Sequence, residues 1–145
     1  MTEEIKSKDE RYWEWFYSSK MRIKRRVLRM EREAAKRLSF LLTESKPLKD
    51  QQFASDLEWL LTWKLKTGCC PEFMWCDGVE FEEITSQSER TIQLKGTAWV
   101  GPEKNDELFQ VPIEAEMSLR PSGKKFKKYC FRINYQGNIF EPKRT

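Results

Sequence analysis

Apolar residues recur at Trp13, Phe16, Ile23, Val27, Met30, Ala34, Leu38 and Leu41, and the stretch from Asp9 to Leu42 holds neither Gly nor Pro. Steps of three, four and seven at about 100° per residue put these positions on one side of a helix. The spacing predicts a long amphipathic helix over residues 9–43. Pro47 and the polar segment ESKPLKD end it, and Asp50 is placed to cap a second helix over residues 50–66. There Phe53, Leu57, Leu60, Leu61 and Leu65 face one way, while Trp59 and Trp63 form an adjoining i,i+4 pair. Apolar over most of its circumference, this helix is expected to be buried on more than one side.

Beyond Thr67-Gly68 and the connector Cys69-Cys70-Pro71, the period changes from 3.6 to 2. Val79 and Phe81 alternate with Glu80 and Glu82. Ile92, Leu94, Ala98 and Val100 alternate with Gln93, Lys95, Thr97 and Trp99. The clearest strand sets Phe109, Val111, Ile113, Ala115, Met117 and Leu119 against polar neighbours, and the last sets Tyr129, Phe131, Ile133 and Tyr135 against Lys128, Cys130, Arg132 and Asn134. Short, turn-rich connections (SQSE, GPEKND, PSG) favour an antiparallel meander over residues 78–136. Pro112 cannot donate to a ladder and implies an open edge or bulge, Gly96 marks a bend, and the tail 137–145 is suited to a short edge segment. One face of each strand is apolar, so the helices should cover that face of the sheet.

The resulting expectation is a single α+β domain over residues 1–145: two N-terminal helices on a curved, four-stranded antiparallel sheet. In its order of helices followed by long strands this resembles the cystatin-like and NTF2-like architectures. The resemblance is one of architecture and carries no sequence motif.

Composition changes the picture by exclusion. The chain has 145 residues and 39% hydrophobic content, enough for one sizeable core, and it contains no His. That absence removes Ser-His-Asp and Cys-His catalysis, His-containing zinc sites and the two-His-one-carboxylate iron site. No complete catalytic or cofactor motif is present, so the expectation is a protein that is not an enzyme and holds no cofactor or metal. The four cysteines, Cys69, Cys70, Cys76 and Cys130, lack the CxxC spacing of a zinc site and are too few for a disulfide scaffold. Reduced thiols, no apolar stretch long enough to span a membrane and a charged N-terminus lead to a cytoplasmic assignment.

Charge adds the most. A formal net charge of +4 conceals a segment, residues 20–37, with nine basic and two acidic side chains, whereas residues 48–90 carry four basic and nine acidic ones. Arg22, Arg25, Arg29, Arg32 and Lys36 repeat with helical steps on the side opposite the apolar stripe. Such a row can track a polyanion. The bland reading is a solvated face that pairs with the chain's own Glu80, Glu82 and Glu83.

The remaining constellations are weaker. Tyr12, Trp13, Trp15, Phe16 and Tyr17 offer stacking platforms for single-stranded bases, but no RNA-recognition signature accompanies them. Glu80/Glu82 and Glu114/Glu116 are carboxylate pairs at i,i+2 about 7 Å apart, in the range used for glycoside hydrolysis. Cross-strand pairing with Lys95, Lys128 or Arg132 is the simpler reading. A curved sheet would bring Trp59, Trp63, Trp99, Tyr129, Phe131 and Tyr135 around a pocket for a hydrophobic ligand.

The sequence therefore points to a non-enzymatic binding or assembly module that recognises an acidic partner through Arg22, Arg25, Arg29, Arg32 and Lys36. The partner is an acidic protein surface or a second copy, for which the near-heptad apolar stripe supplies a seam. Two alternatives stand beside it: a nucleic-acid-binding protein and a hydrophobic-ligand-binding domain.

Overall fold

The computed structural model describes residues 8–44, 50–66, 71–104 and 107–142, leaving the side chains of 8–10, 12–19 and 71 outside the description. Helix α1 runs Lys8–Glu44 and α2 runs Gln51–Leu65. Both follow from the absence of breakers and the apolar periodicity. Asp50 caps α2 as expected, its Oδ1 accepting a hydrogen bond from the Phe53 amide at 2.9 Å. The other oxygen of Asp50 lies 3.6 Å from the Arg37 guanidinium and so joins the start of α2 to the later part of α1.

After a single 3-10 turn at Pro71–Phe73, five strands follow: β1 Trp75–Gln87, β2 Thr91–Gly101, β3 Phe109–Leu119, β4 Phe126–Tyr135 and β5 Asn138–Phe140. They form one antiparallel sheet in chain order, a pure meander. The class is α+β, with four long strands in the expected places and a fifth, short one formed by the tail. The sheet begins at Trp75 instead of residue 78, because β1 continues past a bulge at Asp77 to pair Trp75 with Gly101. The β4–β5 turn uses Gln136 and Gly137 at φ 52° and 82°, the signs that a two-residue type I′ hairpin requires.

Pro112 is tolerated for the anticipated reason. β3 pairs with β4 only from Ile113 onward, so residues 109–112 pair with β2 alone. Gly96 lies against β1, where a Cβ would collide with the carbonyl oxygen of Glu80. Only glycine allows the two strands to approach there, beside the bulge at Glu82.

α2 packs against β1 on one side and α1 on the other. The core between them holds Leu57, Leu60, Leu61 and Leu65 of α2, Ala34, Leu38 and Leu41 of α1, and Ile92, Leu94, Ile113, Met117 and Phe131 of the sheet. Val27 and Met30 pack against it as well. From Val27 onward the apolar stripe of α1 is thus covered by the chain itself, so the heptad seam expected to serve a second copy is occupied there. Trp13 and Phe16, at the other end of that stripe, lie outside the described side chains. No helix among the described residues is long and apolar enough to cross a membrane.

Candidate functional site

The row Arg22, Arg25, Arg29, Arg32 and Lys36 lies on the side of α1 turned away from α2 and the sheet, and every member is exposed. Along a helix rising 1.5 Å per residue it extends about 21 Å. Among the described residues none of the five forms an ion pair. The nearest cations of the same helix are engaged with α2: Arg26 stacks over the Trp59 ring at 4.8 Å and Arg37 pairs with Asp50. The five others project outward. Met21 and Leu28, 49% and 47% exposed, lie seven residues apart beside the row, and Leu28 also lines a cleft against α2 and β4.

Pairing of the row with the chain's own Glu80, Glu82 and Glu83 does not occur among the described residues. Those three are exposed on β1, which packs against α2, whereas α1 packs against α2 and β4. Glu82 instead accepts a hydrogen bond from Thr97 Oγ1 at 3.3 Å. The second carboxylate pair follows the simpler reading: Glu114 sits 3.8 Å from Lys95, its partner in register, and Glu116 sits 3.7 Å from Arg132. Arg132 also donates to Glu141 at 2.8 Å, and that bond raises its pKa. Of these carboxylates Glu82, Glu83 and Glu114 line an open groove of about 480 Å³ on the polar face of the sheet, together with Lys95, Arg132 and Asn134.

Of the six aromatic pocket residues, Trp59, Trp63, Tyr129 and Phe131 neighbour one another, the Tyr129 and Phe131 ring centroids 6.4 Å apart, whereas Trp99 and Tyr135 lie elsewhere. Trp63 and Tyr129 share a cleft of about 180 Å³ between α1, α2 and β4, below the volume of a typical ligand site, about 300 Å³ or more. Trp59 lies beside Trp63, ring centroids 5.7 Å apart. Phe131 is buried in the core. Trp99 points to the opposite face of the sheet, where its ring crosses Gly78 of β1. Tyr135 packs at the far end of β4 with Phe73 and Phe109 at 5.8 and 5.3 Å. Alternation along a strand assigns each side chain a face, but it does not say which neighbour reaches that face.

Two buried charges on α2 escaped the sequence reading. Lys64, 6% exposed, sets its ammonium 3.9 Å from the Tyr129 ring centroid, and an electron-rich ring face stabilises a desolvated cation. Asp56 is held above its ordinary range, chiefly by burial, against the lowering effects of the Gln52 hydrogen bond and Arg37. Glu58 is raised by burial and then by Asp77. A polar residue in an otherwise apolar helix was the available signal.

Cys76 is buried under α2, donates from Sγ to the Gly78 carbonyl at 3.3 Å and has its thiol pushed up to about 12, mainly by burial. Cys130 is half-buried, while Cys69 and Cys70 lie outside the described residues. Among the described residues no group of three or more potential ligands gathers to hold a metal ion. Tyr12, Trp13, Trp15, Phe16 and Tyr17, the stacking candidates, likewise lie outside the described side chains. Comparison with protein-family models, curated proteins and solved structures returns no match.

Proposed function

We propose that the chain is a binding module that captures an acidic protein surface through the outward face of α1. The observation that carries this reading is a row of five exposed cations without an ion pair among the described residues, on a helix whose opposite face is committed to the core from Val27 onward. An exposed charged row of this kind is available to a partner. Met21 and Leu28 favour a protein over a phosphate backbone, because exposed apolar side chains beside the cations gain from contact with another protein's mixed surface. The cleft beside Trp63 and Tyr129, about 180 Å³, gives less support to a hydrophobic-ligand site.

The test is fluorescence anisotropy with a labelled glutamate-rich peptide and, in parallel, a single-stranded oligonucleotide of equal charge. The peptide should bind, and R22E/R25E/R29E/R32E should weaken it by about tenfold or more through lost attraction and added repulsion. Stronger, salt-sensitive capture of the oligonucleotide would transfer the surface to nucleic acid. Equal peptide binding by the native and reversed chains would overturn the proposal.

A further inference from the structure

We infer that the acidic surface recognised by α1 is the β1 edge of a second copy of this chain, so that copies associate head to tail. The inference rests on the reading of α1 given above and adds the identity of the partner.

β1 is an edge strand, paired only with β2. Its register slips at three places, leaving Asp77, Glu82 and Thr85 without a partner, and residues 82–87 are exposed throughout. An edge bulged this often offers no regular ladder to an incoming strand. Its side chains are what remain available for recognition. Glu80, Glu82 and Glu83 are exposed and make no ion pair among the described residues. Of the cations on the same sheet, Lys95, the register partner of Glu83, sets its ammonium on Glu114, and Arg132, which lines the same groove as Glu82 and Glu83, pairs with Glu116 and Glu141. At the Trp75 end of the strand, Lys66 and Lys104 lie over the indole ring, so the acidic character is greatest from Glu80 onward.

The two surfaces match in length and sign. Glu80 to Glu83 spans about 10 Å of strand, and Arg25 to Arg32 rises about 10.5 Å along the helix. Among the described residues they do not pair within one chain: β1 packs on α2, whereas α1 packs on α2 and β4. Opposite charge on separated faces of one molecule produces a heterologous contact, in which the cationic row of one copy meets the acidic edge of the next.

Sedimentation velocity on the full chain tests this. In about 20 mM salt the native protein should sediment as an oligomer and in about 500 mM as a monomer, since the Debye length contracts from tens of ångströms to a few. R25E/R29E/R32E alone and E80R/E82R/E83R alone should each be monomeric in low salt. An equimolar mixture of the two should associate again, within about tenfold of the native strength, because each now presents what the other lacks. All six positions are exposed, and circular dichroism checks the fold of each variant. Should a reversed chain fail to fold, the neutral set E80Q/E82Q/E83Q serves instead and should weaken association by about tenfold. A native chain that stays monomeric in low salt, a mixture that does not reassociate, or a neutral set without effect would overturn the inference. If such a chain still binds the glutamate-rich peptide through α1, the partner assignment alone falls; if it does not, the reading of α1 falls with it.

Discussion

α1 and α2 both carry an apolar stripe, but they use the rest of their circumference differently. α2 sits between α1 and β1 and buries eight of its residues, including Asp56, Thr62 and Lys64. From Met21 to Glu44, α1 buries only Ala34, Ala35, Leu38 and Leu41 and turns Arg22, Arg25, Arg29, Arg32 and Lys36 to solvent. Charge therefore means different things on the two helices. On α2 a charged group must be matched by its surroundings, as the Tyr129 ring matches Lys64. On α1 no ion pair among the described residues holds the outward cations, so their shared sign is available to a partner.

That contrast predicts unequal responses to mutation. Leu61→Ala, at a fully buried position of α2, should cost about 2–5 kcal/mol, while Arg29→Ala on α1 should stay within about 0.5 kcal/mol of native. Urea denaturation reads both, and comparable losses would break the comparison. Gly96→Ala should cost about 1–3 kcal/mol, because the new methyl group forces β1 and β2 apart at the Glu80 carbonyl. A wild-type midpoint there would deny the close approach.

A smaller effect concerns the strand beneath α2. Burial raises the Cys76 thiol from its ordinary 9.0 to about 12, so the folded chain keeps a proton that the unfolded chain releases. Stability should fall as pH rises across that window, and Cys76→Ala should flatten the slope whatever it does to the absolute value. Denaturation at several pH values above neutrality checks it. An unchanged slope would mean that the thiol is solvated.

Much of this architecture was legible in the residues, and the exceptions share one cause. The stripe of α1, the Asp50 cap and the strand periods are local features, and they appear where the spacing put them. The bulges of β1, the destination of Trp99 and the burial of Lys64 depend on what another element brings alongside. No periodicity within a strand reports that Gly78 leaves room for an indole ring, or that Tyr129 will lie under an ammonium group. The cationic row was readable as a pattern, but the absence of pairing with Glu80, Glu82 and Glu83 among the described residues was not, because that depends on how α1, α2 and β1 pack together.

The central claim is that the outward face of α1 is the recognition surface. Arginine footprinting with phenylglyoxal, read by mass spectrometry with and without the glutamate-rich peptide, tests it residue by residue. Arg22, Arg25, Arg29 and Arg32 should be protected by the peptide, while Arg90 and Arg120, exposed on the loops of the sheet, should react equally in both states. Protection of Arg90 or Arg120 with α1 left reactive would contradict the account.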